Sequence, residues 1–249
     1  MEGLHGGAAV ISDEGATHTE GTRRYRVPVS RAMGARDIAQ AVSVYGEGLS
    51  PAWRNPIAEE VLYVASGEGA CLIDGHRYPL ALGTAVYLPS ASTCQIDSRG
   101  GLVIISVRCP EDERHTVEAV SALPLDTKPL RTLREADQKS IPTGDRTFKL
   151  LFNQETGASR VTQFIGVIPP GRAPLHHHTY EEAIYILEGE GRVWTQSGDA
   201  SFRAGSSIYL PRGVSHALEN TGTDNVCLLG VFHPSGSPAT RYEDNAVTR

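Results

Sequence analysis

Four residues in one stretch of this chain are of types that can meet at a single metal ion: His176, His178, Glu182 and His216. His176 and His178 stand two apart, so on a strand both side chains point to the same face. Glu182 follows four residues after His178 and opens the apolar run Ala183–Leu187, the pattern of a buried strand. His216 comes later, after a second short apolar run and a Pro-Arg-Gly turn. Three imidazoles and one carboxylate suit one divalent transition metal: iron, manganese, nickel, zinc or copper. Four such ligands leave one or two coordination positions open to water, oxygen or substrate. His177 lies between two of the candidates and must face the other way on a regular strand, so it is read as a non-ligand.

The elements that must position these residues are strands joined by tight turns. His176-x-His178-x3-Glu182-x6-Gly189 resembles the first motif of the cupin superfamily, and Gly205-x5-Pro211-x-Gly213-x2-His216-x3-Asn220 resembles the second. One spacing departs from that pattern: four residues rather than five separate Gly171 from His176. The resemblance implies a jelly-roll β-barrel with the metal inside and a mouth open to substrate.

The chain also repeats itself. Glu60, Gly67, Gly83 and Pro89 each lie 122 residues before Glu182, Gly189, Gly205 and Pro211. At that offset EEVLYVASGEG falls on EEAIYILEGEG, and GTAVYLP on GSSIYLP. The expected fold class is therefore all-β, with two tandem jelly-roll barrels. The expected boundaries are a flexible N-terminal arm over 1–22, a degenerate first barrel over 23–109, a linker over 110–143, a metal-binding barrel over 144–236 and a tail over 237–249.

The repeat acts as an internal control. Arg54, Pro56 and Cys94 stand where the second copy has His176, His178 and His216, and only Glu60 keeps its ligand type. A guanidinium stays protonated and proline offers no ligand atom, so the first barrel is read as lacking the metal site. Glu59 and Tyr63, the counterparts of Glu181 and Tyr185, favour structural roles for those residues. Arg172, close to the histidines, is a candidate for holding an anionic substrate. Lys149, Arg160, Gln163, Trp194, Phe202 and Arg212 are further candidates for the pocket wall, each with a surface or core alternative.

Composition narrows the class. With 40% hydrophobic and 21% charged residues, the chain can bury a sizeable core. A net charge of −6 without a Lys/Arg cluster argues against a nucleic-acid partner. No apolar run is long enough for a membrane helix, and no secretory signal is expected at the N-terminus. Four scattered cysteines without a CxxC pair do not suggest a disulfide framework, so a cytoplasmic protein is expected. The family resemblance implies a small-molecule substrate and a homodimer, with a monomer as the alternative. It also implies a metal-dependent enzyme acting on a small organic acid or a phenol, with a dioxygenase favoured by family frequency. The alternatives are a non-oxidative enzyme (decarboxylase, isomerase or ureidoglycine-aminohydrolase-like) and a non-catalytic ligand-binding or scaffold protein.

Overall fold

The two apolar runs of the repeat form the central strands Glu59–Ser66 and Glu181–Glu188. Their middle positions, Val61–Ala65 and Ala183–Leu187, are apolar without interruption because both faces are covered. Leu62 and Val64 point into the first barrel, while Val61 and Tyr63 point into a seam shared with the second. Ile184 and Ile186 likewise face the second barrel's interior, while Ala183 packs in the seam. A period of two thus sorts one run into two cores.

A computed structural model describes residues 1–12, 16–110, 114–119, 129–240 and 242–243 of this chain. Among them each barrel consists of two antiparallel sheets. In the first barrel, a seven-stranded sheet has Glu59–Ser66 between Thr84–Leu88 and Leu102–Cys109, facing a smaller sheet that holds Thr93–Ser98 and Ala52–Arg54. In the second, an eight-stranded sheet has Glu181–Glu188 between Ser207–Leu210 and Val226–His233, facing a sheet that holds His216–Asn220 and His176–His177. The stretch ARDIAQAVSVY, of ambiguous period, contains the strand Ala39–Tyr45. Asp74 and Gly75 both have positive φ and turn the chain between Gly69–Ile73 and His76–Leu80. The repeated Gly67 and Gly189 are required sterically. Each has positive φ, and a Cβ would lie 2.7 Å from Leu102 Cα in one copy and 2.8 Å from Val226 Cγ2 in the other.

The segments flanking the barrels depart from expectation. The N-terminal arm is not loose: Ala9–Ile11 pairs with Ser207–Tyr209 of the second barrel, and Ala8 through Ile11 are buried. Thr132–Arg134, in the expected linker, pairs with Thr84–Val86 of the first barrel. The segment preceding each barrel therefore adds a strand to the other. His18–Glu20 joins the first barrel, and Ile141–Thr143 the second. These strands are three residues long, too short to show a period, and their edges are satisfied by a partner distant in sequence. In the expected tail, the backbone of Tyr242–Glu243 pairs with His176–His177, whereas residues 244–249 lie outside the described residues. No helix among the described residues is long and apolar enough to cross a membrane.

Candidate metal centre

Alternation along Glu181–Glu188 decides which acid enters the second barrel. Glu182 shares the inward face with Ile184 and Ile186, and Glu181 takes the seam face. On the opposing sheet His176 is in register with His216. His178 follows on the same side, buried like the other two, while His177 turns outward and is half-buried.

The three rings cluster with centroids 4.7 Å apart for His176–His216, 4.9 Å for His176–His178 and 5.2 Å for His178–His216. One ligand nitrogen from each lies within 4.8 Å of the other two. Metal–nitrogen bonds of about 2.0–2.1 Å need these nitrogens a little closer together, a matter of small ring movements. Two of the rings are already oriented. His176 Nδ1 lies 3.1 Å from the Pro174 carbonyl, and His216 Nδ1 lies 2.8 Å from that of Val214. A carbonyl only accepts, so each Nδ1 carries the proton and each Nε2 keeps its lone pair for an ion. Glu182 stands beside this trio rather than within it, its Oε2 3.9 Å from His178 Nε2. The donor chemistry fits a divalent transition metal.

The cluster opens into a cavity of about 70 Å³. Its walls are mainly apolar, with Phe148, Phe164, Leu228 and Phe232 among them. Arg146 is the one Lys or Arg among the described residues of this lining; it is buried, and its Nη2 donates to the Leu218 carbonyl at 2.7 Å. Pro238 closes one side. That C-terminal stretch is held by Tyr180, whose hydroxyl donates to the Ser237 carbonyl at 3.0 Å and whose ring stacks on His178. Gly236 permits the approach, since a Cβ there would lie 2.4 Å from the Tyr180 ring.

The other sequence candidates lie elsewhere. Arg172 is exposed, with its guanidinium 4.1 Å above the Trp194 ring, and is absent from the cavity lining. Lys149 pairs with Glu135, Arg212 with Asp37, and Gln163 reaches Leu62 of the first barrel. Arg160 holds Glu59 through its backbone, and Phe202 is core. Arg146 was missed because the repeat was followed at a single offset. One residue further, at 123, Arg146 falls on Arg23, which is also buried.

In the first barrel the position of Glu182 is held by Glu60, which sits beside a guanidinium. Glu60 is fully buried and accepts from Asn55 Nδ2 at 2.8 Å, Trp53 Nε1 at 3.3 Å and the guanidinium of Arg114. That guanidinium also lies 4.4 Å above the Trp53 ring. Burial alone would push the Glu60 carboxyl up, but Arg114 and Arg108 together hold it down at about 2. Arg23 is lowered to about 10 by burial and by the charge of Arg114. Cys94, in the place of His216, lies against Cys71, with sulfurs 3.1 Å apart and its thiol raised by burial. The cation here is built into the chain.

Comparison with known proteins agrees with this geometry. Residues 164–232 match the model of the Cupin domain family. An uncharacterised protein of Methanocaldococcus jannaschii is 34% identical over 83 residues, 32% of this chain and 63% of that protein. The oxalate-binding protein of Thermotoga maritima is 39% identical over 67 residues, 26% of this chain and 55% of that protein. The chain thus spans less than two thirds of either relative. Among solved structures, a deletion mutant of Bacillus subtilis oxalate decarboxylase superposes with a TM-score of 0.76 at 15% identity, covering 91% of this chain and 77% of the other. At that identity the likeness is one of fold, and it extends over both barrels.

Proposed function

We propose that this chain, a two-domain protein of the cupin superfamily, is a metal-dependent enzyme that acts on a small carboxylic acid in its second barrel, by decarboxylation rather than by oxygen insertion. The observation that carries this reading is the cavity beside the three histidines: small, mainly apolar in its described lining, and reached by the Arg146 guanidinium. An apolar cavity of about 150 Å³ accepts benzene, so 70 Å³ favours a short acid over a phenolic ring. This weighs against the dioxygenase expectation, which rested on family frequency. The names of the relatives point the same way, since both an oxalate-binding protein and an oxalate decarboxylase are among them.

In this reading His176, His178 and His216 hold the ion, and Glu182 completes the set from the facing sheet. A divalent transition metal held there supplies Lewis-acid polarisation of a bound carboxylate; the Bacillus subtilis decarboxylase is described with Mn(II) centres. The chain's own residues do the rest. Nδ1–H bonds to Pro174 and Val214 fix two rings in the orientation that presents Nε2. Arg146 offers guanidinium hydrogens to a carboxylate oxygen, in a setting where few waters compete. Phe148, Phe164 and Phe232 exclude water and strengthen that attraction.

A second reading, binding without turnover, draws on a different observation. Apart from Glu182 and the histidines, the described lining has no carboxylate, lysine, tyrosine or cysteine to move a proton. One experiment separates the two. Protein loaded in turn with Mn(II), Fe(II) and Ni(II) is incubated with oxalate and other short-chain carboxylic acids while CO₂ release and oxygen uptake are recorded. CO₂ release without stoichiometric oxygen uptake is expected. Saturable binding without release would favour the binding protein, and oxygen uptake on a catechol would overturn the proposal.

A further inference from the structure

A second cavity, of about 690 Å³, opens at the seam between the barrels. Among the described residues it shares no lining residue with the metal pocket. Tyr63 lines it from the first barrel, Tyr185 and Leu187 from the second, and Arg134 and Glu135 from the segment connecting them. Tyr63 and Tyr185 occupy the same position in the repeat, so the cavity lies where the two halves face each other.

Its polar groups are unequally occupied. Glu135 is engaged on both oxygens: Oε2 accepts from the Tyr63 hydroxyl at 2.5 Å and Oε1 from Lys149 Nζ at 3.1 Å. The Tyr63 phenol is therefore a neutral donor, held above its usual range by burial and by Glu135. The two cations retain capacity. An ammonium has three donors and a guanidinium five; among the described residues Lys149 gives one to Glu135, and Arg134 gives one to Thr84 Oγ1 at 3.2 Å. Both cations flank Glu135, whose charge is already shared. The rest of the described lining is aromatic or aliphatic apart from Ser66, Cys227 and the exposed Glu188, so a ligand's carboxylate must sit on the cations and away from Glu188. A cavity of this size at a domain boundary, with apolar side chains beside convergent polar groups, has the character of a small-molecule site.

We propose that this seam cavity binds an aromatic carboxylate, its ring against Tyr185 and Leu187 and its carboxylate on Lys149 and Arg134. A neutral aromatic would leave the cations' donors unused, and an aliphatic acid would leave the aromatic wall uncovered. Because the ligand touches both barrels, its binding braces the seam and raises the unfolding temperature.

The test uses the full-length, metal-loaded protein and 2-naphthoate, with 2-naphthol and acetate as probes lacking the charge or the ring. Calorimetric titration should show saturable 2-naphthoate binding and weaker binding of both controls. Lys149→Gln should weaken it by about tenfold or more. Leu187→Trp places an indole where the ligand's ring would lie, leaves the Lys149–Glu135 pair intact and should weaken binding with metal content unchanged. Bound 2-naphthoate should also slow alkylation of Cys227, which lines this cavity and is the one cysteine of the four not fully buried. Absence of binding up to about 5 mM, or equal affinity in the Leu187→Trp protein, would overturn the proposal. So would displacement of 2-naphthoate by short acids that occupy the metal pocket.

Discussion

Glu59 and Glu181 occupy the same position in the two copies, and each accepts hydrogen bonds from the backbone of the other barrel. Glu181 of the second barrel takes the N–H groups of Arg36 and Asp37 at 2.8 and 2.9 Å. Glu59 of the first takes the N–H of Arg160 at 3.0 Å and the Ser159 hydroxyl. Each is an anion set on consecutive donors, and the pair clasps the barrels about a pseudo-twofold axis. Glu181→Gln keeps one acceptor oxygen and points an amide donor at a backbone N–H. The expected cost is about 1–3 kcal/mol, read from the denaturant midpoint, with metal content unchanged. A midpoint identical to wild type would show that the clasp contributes nothing.

The exchanged strands make a second expectation concrete. Deleting residues 1–12 removes the strand Ala9–Ile11 and bares the edge Ser207–Leu210. Val10 and Ile11 are 4% and 6% exposed. Burying each contributes about 1.5–3 kcal/mol, so the truncated chain should unfold at clearly lower temperature and tend to associate through the open edge. An unaltered unfolding temperature would mean that this segment is dispensable.

Glu60 and Arg114 make a pH-dependent contribution in the first barrel. The Glu60 carboxyl is held at about 2, below its ordinary value of 4.5, by Arg114 against the opposing effect of burial. A depressed carboxyl stabilises the fold above its unfolded pKa and loses that contribution as pH falls through the folded value. The stability gap between wild type and Glu60→Gln should therefore be full at pH 7 and shrink between pH 4.5 and about 2. At pH 7 the substitution leaves Arg114 buried without its charge partner, costing about 3–5 kcal/mol. A gap that does not change with pH would refute the ion pair's role.

In the second barrel, substitutions should sort metal from substrate. Any one of His176→Ala, His178→Ala and His216→Ala should abolish metal retention in elemental analysis, and Glu182→Gln should lower metal affinity by more than about tenfold. Arg146→Gln should keep the metal and weaken carboxylate binding by about tenfold to a hundredfold, the worth of a charge-assisted hydrogen bond of about 1.5–3 kcal/mol. Arg172→Ala should leave carboxylate binding unchanged, because its side chain stacks on Trp194 outside the cavity. Loss of binding in Arg172→Ala with Arg146→Gln unaffected would reverse the assignment of the cation.

What could be read directly from the residues was whatever depends on spacing along one strand or on comparison of the two copies. The positions of His176, His178 and Glu182, the outward turn of His177 and the doubling of the barrel all follow from a period of two and a fixed offset. The same comparison set Arg54, Pro56 and Cys94 where the second copy has its three histidines, since residue identities are local facts. Tertiary structure alone decided which residue supplies the first barrel's cation. Arg114 lies 54 positions from Glu60, and no pattern along the chain links them. It likewise decided that the segment before each barrel belongs to the other, that Arg146 rather than Arg172 enters the cavity, and that Glu135 joins Tyr63 to Lys149 across the seam. The physical reason is common to all of these. Side-chain alternation is a short-range property of the backbone, whereas charge pairing and edge-strand pairing depend on which distant groups folding brings together.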